Sequence, residues 1–183
     1  MTNVATPITP WVATEEQWDR LKKMAKWLRA NPDRKDFRMG FFTNGDREVY
    51  LNDMESTKES ICGTAGCIVG HAPQVFSEWF FTPSVLRRCS YNGWIDWLKV
   101  SDETFGGAES SRYGSGLPND GIVWSWMFCS TWDDIDNTPL GGAKRIEYII
   151  QHKTPPQFYI DYKQGKVSIY EMSEQYHEWN KNS

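Results

Sequence analysis

The fold is decided first by residues 14–30, which read TEEQWDRLKKMAKWLRA. Thr14, followed three residues later by Gln17, forms a capping box, the pattern in which two side chains satisfy free N–H groups at a helix start. Apolar side chains then recur at helical spacing until Asn31-Pro32 interrupts the pattern, at Trp18, Leu21, Ala25 and Leu28. The stretch therefore predicts an amphipathic first helix over about residues 15–30.

The opposite face of this helix is basic. Its charged side chains are Arg20, Lys22, Lys23, Lys26 and Arg29. Charged residues on the outer face of an amphipathic helix are most simply solvated, and we interpret these residues as surface groups. The alternative is a patch that contacts phosphate groups.

Two further elements are predicted in the first half of the chain. Between residues 37 and 51 apolar residues alternate on both sides of Asn44-Gly45, a strong signal for a two-residue turn, so we expect an N-terminal β-hairpin. Small and apolar residues then continue from Thr64 to Ala72, where Pro73 disfavours helical geometry for the residue before it. We therefore expect a second helix that begins near Thr64 and ends at Ala72.

The C-terminal part of the chain contains a clear helix start. Thr138 supplies a cap and Pro139 a favourable first helical residue, which predicts a helix over about residues 139–151. After it, residues 158–162 and 166–170 lie on either side of Gln164-Gly165 and are compatible with a small C-terminal hairpin. The fold class expected from these patterns is α+β, mainly helical. We expect a single globular domain over residues 1–183, with flexible ends at 1–12 and 180–183 and a long surface loop at 106–120.

Composition disfavours two broad classes of function. The formal net charge is −4 at pH 7, and the 20 lysines and arginines form no polycationic run, which argues against binding to duplex nucleic acid. The longest apolar runs, such as residues 79–81 and 122–124, are far shorter than the roughly 20 residues that span a bilayer. With no recognisable secretory signal, we expect a soluble protein with reduced cysteines and no membrane partner.

Tryptophan is unusually frequent, with ten residues in a chain of 183. Large rings can fill the core of a helical protein, and they can also line a site where a planar base or sugar stacks. For a single tryptophan the core role is the more common one.

Residues 62–71, CGTAGCIVGH, place two thiols, one imidazole and three glycines within ten residues. Cys62, Cys67 and His71 are potential zinc ligands, but the second close pair of ligands that zinc sites normally show is missing. Cys62 at a helix start would be a reactive thiol, and its base would have to come from the distant His152 or His177. We predict neither a metal nor a cofactor.

The same motif has a structural and an anion-binding interpretation. Gly66 and Gly70 are spaced so that another helix could approach closely. Alternatively, the N–H groups of residues 63–66 would hold a phosphate or carboxylate, with rings and basic side chains supplied from elsewhere. The pattern of nucleotide-hydrolysing P-loops is absent. The ligand-binding residues predicted in this way are Cys62, Gly63, Thr64, Ala65, Gly66, His71, Arg112, Trp124, Trp126, Lys144 and Arg145.

The order Cys-Gly-Thr-Ala-Gly-Cys-Ile-Val-Gly-His, preceded by the strand at 37–39, resembles a family of small uncharacterised bacteriophage proteins that carry Cys-Gly-Thr-x-x-Cys-x-x-Gly-His. Residues 97–101 resemble the Leu-Gly-Leu-Ser helix start of that family, and residues 143–146 resemble its Ala-x-Arg-Ile helix. The chain departs from the family at Lys99, where glycine is usual, and in the loop at 106–120. The resemblance covers residues 37–152 and implies a phage origin and the host cytoplasm, but no chemistry.

Our leading hypothesis is a non-enzymatic phage accessory protein that sequesters a small anionic ligand, such as a cyclic nucleotide used as a host immune signal. An alternative is a protein–protein inhibitor that presents exposed aromatic residues to a host protein, since aromatic residues often anchor such interfaces. A third is a Cys62-dependent thiol hydrolase. The sequence leaves homo-oligomer formation open.

Overall fold

The computed structural model of the chain describes residues 8–37, 39, 67–91, 94–107 and 121–182. Within these ranges the predicted N-terminal hairpin is represented by Phe37 and Met39, both of which are buried. The other residues of that hairpin, and residues 108–120 of the predicted loop, lie outside the described residues.

Helix α1 spans Glu15–Ala30, as predicted. The backbone N–H of Gln17 donates to the Thr14 hydroxyl at 3.3 Å, and the Thr14 N–H donates to the Gln17 side chain at 2.9 Å, which confirms the capping box. At the C-terminal end of the helix, the N–H of Asn31 donates a hydrogen bond to the carbonyl of Leu28. The buried face of α1 follows the helical repeat and consists of Leu21, Met24, Ala25 and Leu28.

Short elements follow between residues 67 and 107. They are α2 (Ala72–Val75), α3 (Ser77–Phe80), α4 (Pro83–Arg88), β1 (Ser90–Tyr91), β2 (Trp94–Ile95) and α5 (Trp97–Phe105). The two strands pair antiparallel, with Ser90 opposite Ile95 and Tyr91 opposite Trp94. In the sequence they flank Asn92-Gly93, a dipeptide typical of two-residue hairpin turns.

The C-terminal part adds α6 (Ile122–Phe128), α7 (Trp132–Ile135), α8 (Pro139–His152), α9 (Gln157–Lys163) and α10 (Ile169–Asn182). Helix α8 confirms the helix predicted over about residues 139–151. As expected, the Thr138 hydroxyl accepts a hydrogen bond from the N–H of Gly141 at 3.0 Å, and Pro139 lies in the first turn. In the ranges that the structure describes, no helix combines the length and apolar composition needed to cross a bilayer.

The predicted α+β fold class is wrong. The described chain is mainly helical, and the two-residue ladder of β1 and β2 is its only sheet. Helix α9 and the first residues of α10 replace the predicted C-terminal hairpin, which was expected at residues 158–162 and 166–170. The physical reason is a second capping box: the Ser168 N–H donates to Glu171 Oε2 at 2.7 Å and the Glu171 N–H to Ser168 Oγ at 3.3 Å. Met172 and Tyr176 then recur four residues apart on the buried face of α10.

The pairing of α1 with α8 is the most extensive contact between elements. Ala143, Ile146 and Ile149 of α8 are fully buried against the core that α1 helps to form. A Cβ at Gly142 would lie 3.2 Å from Ile68 Cδ1, so the glycine lets the turn before α2 approach this helix closely.

Trp126 of α6 lies at the centre of an aromatic cluster. Six rings surround it edge-to-face at centroid distances between 5.1 and 6.2 Å, those of Trp132, Tyr148, Phe158, Tyr159, Tyr176 and Trp179. This geometry is favourable because the positive edge of one ring meets the negative face of another. The Trp126 indole N–H donates to the carbonyl of Arg145 at 3.1 Å, so its polar atom is also satisfied.

Tryptophan burial extends beyond this cluster. None of the nine tryptophans whose side chains the structure describes is exposed. The three other buried indoles each donate a hydrogen bond: Trp11 to the Phe105 carbonyl, Trp124 to the Ser101 hydroxyl and Trp132 to the Ser125 carbonyl. The high tryptophan content therefore serves mainly the core.

Trp11, which lies in the stretch expected to be a flexible end, is buried and anchored. Its backbone N–H donates to the Lys153 carbonyl at 2.8 Å. The ring packs against Gly107, whose φ is +82° and whose Cβ, if present, would lie 2.2 Å from Trp11 Cη2. Both the backbone conformation and the space therefore require glycine at this position.

We predict that Gly107→Ala lowers the free energy of unfolding by about 2–5 kcal/mol, because it combines a left-handed backbone with a clash against the Trp11 ring. Gly165→Ala is the matched control, since Gly165 has φ +71° but nothing within 4 Å of a Cβ. That variant should lose only about 1–2 kcal/mol. Urea unfolding measures both values, and equal losses in the two variants would contradict the close packing at Trp11.

Candidate functional site

Most of the predicted binding motif lies outside the described residues. This applies to residues 62–66, namely Cys62, Gly63, Thr64, Ala65 and Gly66, and also to Arg112. Residues 67–71 form turns, with the His71 N–H bonded to the Cys67 carbonyl at 3.0 Å, and α2 begins at Ala72. The helix predicted from Thr64 to Ala72 is therefore wrong for residues 67–71. Pro73 was expected to end that helix, but it lies in the first turn of α2, where its missing N–H removes no helical hydrogen bond.

His71 is a core residue. Its ring stacks on Phe37 at a centroid distance of 6.0 Å and lies 5.2 Å from the ring of Trp27. Burial lowers the pKa of His71, and the positive charge of Arg34 lowers it further, while Asp36 acts in the opposite direction. Its Nε2 atom has no hydrogen-bond partner among the residues that the structure describes. A neutral imidazole therefore fits this position.

Two of the three described thiols are poor nucleophiles. Cys67, Cys89 and Cys129 are buried, and none of them forms a disulfide with another described cysteine. Burial raises the pKa of Cys67 to about 11. It also raises that of Cys89 to about 12, with a further contribution from Glu103. Because the thiolate is the reactive form, these two cysteines are almost fully protonated at neutral pH.

Among the described residues, no three His, Cys, Asp or Glu side chains come close enough together to hold a metal ion. Cys62, the third potential ligand of the motif, lies outside these ranges.

Arg145, predicted to bind an anionic ligand, lies fully buried in the core. Its Nη1 atom is 3.1 Å from the Tyr176 hydroxyl and 3.7 Å from Asp136 Oδ2. The guanidinium carbon lies 4.5 Å from the ring centroid of Trp132. The Tyr176 hydroxyl donates to Asp136 Oδ2, and the Thr138 hydroxyl donates to Asp136 Oδ1. The positive charge of Arg145 thus belongs to an internal network with Asp136.

Of the other predicted site residues, Trp126 contacts Arg145, and the rest have separate partners. Trp126 meets Arg145 through its indole N–H, whereas Trp124 faces Ser101. Lys144 is half-buried, and its ammonium donates to the Asn180 carbonyl at 2.6 Å. His71 packs with Trp27 and Phe37.

A groove that the sequence did not indicate opens between α1 and the segment of α2 and α3. We call it the α1–α3 groove. Its volume is about 470 Å³ and it is lined by Glu16, Asp19, Arg20 and Lys23 of α1 and by Val75, Phe76, Ser77, Glu78 and Trp79 of the opposite wall. The four residues of α1 share one face because they are spaced by three and four positions.

Cations lie over aromatic rings along this groove. The Arg20 guanidinium carbon is 4.0 Å from the ring centroid of Trp79, and the Lys23 ammonium is 5.5 Å from that of Phe76. Both distances are within the range of cation–π attraction. Arg20 is fixed further by its hydrogen bond to the Glu103 carbonyl at 3.2 Å and by its ion pair with Glu16.

Two charges of the groove remain without an ion pair. Arg20 pairs with Glu16 and Lys22 pairs with Asp19. Lys23 on one wall and Glu78 on the other are exposed, and neither forms a salt bridge with any residue in the described ranges. A bound molecule could therefore meet a free ammonium and a free carboxylate without breaking an internal ion pair.

Sequence reasoning missed this groove for an identifiable reason. Arg20 and Lys23 were interpreted as solvated surface residues. The spacing of Glu16, Asp19, Arg20 and Lys23 does predict a common charged face, but the opposite wall comes from residues more than fifty positions away.

We predict that Asp136→Asn lowers the free energy of unfolding by about 3 kcal/mol, because Arg145 would then be a buried charge without its counter-ion. Asp134→Asn is the control, since Asp134 is exposed on α7, two residues before Asp136. It should change the free energy by less than about 0.5 kcal/mol. Urea unfolding distinguishes the two variants, and a small loss in Asp136→Asn would show that Arg145 does not depend on this carboxylate.

We also predict that the free energy of unfolding falls as the pH drops below 6.5. The pKa of His71 is lowered in the folded state, so the unfolded chain takes up a proton at higher pH than the folded one. His71→Phe should reduce this loss of stability, and His177→Gln, at an exposed position of α10, should not. The measurement is the urea midpoint between pH 5 and 7.5, and equal pH dependence in the wild type and His71→Phe would contradict the prediction.

Comparison with known proteins gives no relative from which a function could be transferred: neither a family model, nor a curated protein, nor a solved structure matches this chain.

Proposed function

We propose that this protein is a non-catalytic binding protein and that the α1–α3 groove holds one small charged ligand. The observation that carries the proposal is the groove itself, where Arg20 and Lys23 lie over the rings of Trp79 and Phe76. Its volume of about 470 Å³ is within the usual range of ligand pockets. Such a lining offers charged groups for orientation and aromatic surface for affinity.

The chemistry of the lining supports binding without turnover. The described lining contains carboxylates, one serine, one lysine and one arginine, but neither cysteine nor histidine. The carboxylates of Glu16 and Asp19 already form ion pairs with Arg20 and Lys22. Ser77 has no histidine beside it in this lining that would activate it as a nucleophile.

The charge of the lining limits the class of ligand that the groove can bind. Three carboxylates face two cations around the groove, so a molecule with several negative charges would meet net repulsion. Within the nucleotide-like class that the motif suggested, the groove favours a compact molecule of low net charge over a polyphosphate. The setting in an infected bacterium, where such a molecule would be sequestered, is part of the same proposal and rests on the motif resemblance alone.

The test is to purify the chain from its native host, release any bound molecule by heating, and identify it by mass spectrometry. We expect an intact small molecule that raises the melting temperature of the stripped protein when added back. Recovery of a chemically altered molecule, or the absence of any small molecule that stabilises the protein, would contradict the proposal.

Lys23→Ala should weaken binding of the recovered molecule about tenfold, since one hydrogen bond to a charged group contributes about 1.5 kcal/mol. Lys26→Ala is the matched control, because Lys26 is exposed on the same helix but does not line the groove. Isothermal titration calorimetry measures both affinities. An equal effect of the two substitutions would place the ligand elsewhere.

A further inference from the structure

We infer that the ligand of the α1–α3 groove is a small zwitterion with an aromatic side group, the chemical class of the aromatic α-amino acids. The inference rests on the proposed function and identifies the class of its ligand. It follows from which charges of the groove are already paired, which are not, and what lies between them.

The paired charges are satisfied within α1. Glu16 pairs with Arg20 one turn later and Asp19 pairs with Lys22, so a ligand that used these groups would compete with existing ion pairs. Arg20 is also held by the Glu103 carbonyl and covers one face of Trp79. These groups shape the groove and are not free to bind a new partner at full strength.

The unpaired charges have opposite signs and lie on opposite walls. The Lys23 ammonium projects from α1, and the Glu78 carboxylate belongs to α3. A purely anionic ligand would gain from Lys23 but would be repelled by Glu78, and a purely cationic ligand would meet the reverse. A zwitterion is attracted by the charge on each wall. The charge pattern therefore favours a zwitterion over a purely anionic or purely cationic ligand, and it also contributes to affinity.

The surface between these charges is apolar and aromatic. Val75 is half-buried, Phe76 is buried and packs edge-to-face on Phe105, and Trp79 is half-buried beneath Arg20. This surface suits a ring of the ligand, because aromatic side chains offer large contact area and favour edge-to-face or offset contacts. Carboxylate, ammonium and ring occur together on a small skeleton in aromatic α-amino acids.

The first experiment compares three molecules that share a phenylethyl unit by isothermal titration calorimetry on the full chain. They are L-phenylalanine, 3-phenylpropionate, which lacks the ammonium group, and phenethylamine, which lacks the carboxylate. We expect L-phenylalanine to bind at least about tenfold more tightly than either of the others. Comparable affinity for 3-phenylpropionate would overturn the inference.

The second experiment exchanges the two charges. Lys23→Glu and Glu78→Lys should each weaken binding of L-phenylalanine about tenfold, whereas the double variant should return to within about threefold of the wild type, because it restores one charge of each sign. Lys26→Glu is the control and should leave binding unchanged. Since both exchanged residues are exposed, the melting temperature should stay constant in all variants. Failure of the double variant to recover binding would count against the inference.

The outcomes separate this inference from the proposed function. Tight, Lys23-dependent binding of cyclic AMP or cytidine monophosphate, with no binding of L-phenylalanine, would overturn the zwitterion class and leave the binding function in place. If neither the amino acid nor either nucleotide bound, and no cargo were recovered from the native host, both would fail.

Discussion

The packing of α1 against α8 is the contact on which the rest of the structure depends. Leu21, Met24 and Leu28 of α1 are fully buried in the core that also contains Ile146 and Ile149 of α8. Burial of each such side chain stabilises the folded state by about 1.5–3 kcal/mol, so this seam holds the helix at a defined rotation. That rotation leaves the row from Glu16 to Lys23 facing α2 and α3, where it forms one wall of the groove.

The high tryptophan content has a structural explanation with a functional consequence. Trp126 and Trp132 are fully buried, their rings meet edge-to-face at 5.1 Å, and their indole N–H groups are satisfied by carbonyl groups. Rings used in this way cannot stack on a ligand. Among the tryptophans of the described ranges, the half-buried Trp79 is the one that lines the groove.

Two arginines show how burial decides the role of a charge. Arg145 is fully buried and its charge is balanced internally by Asp136, so it acts in folding. Arg20 lies at the groove, stacked on Trp79 and paired with Glu16, so it shapes a surface. Lys23, one turn further along α1, is exposed and has no ion pair in the described part of the chain, which leaves it available for binding. The sequence analysis had instead assigned Arg145 to the ligand site and interpreted Arg20 and Lys23 as solvated surface groups.

The sequence by itself determined the features that depend on neighbouring residues. The caps at Thr14 and Thr138 and the apolar spacing behind them located α1 and α8, because these interactions join residues only three or four positions apart. The capping box of Ser168 and Glu171 at the start of α10 also joins neighbouring residues, but the turn signal at Gln164-Gly165 was interpreted as a hairpin. Only the tertiary structure decided that Arg145 is internal, that the tryptophans form the core, and that Lys23 and Glu78 face one groove. These properties depend on contacts between distant segments and on which side chains the core excludes from water, and local periodicity carries no information about either.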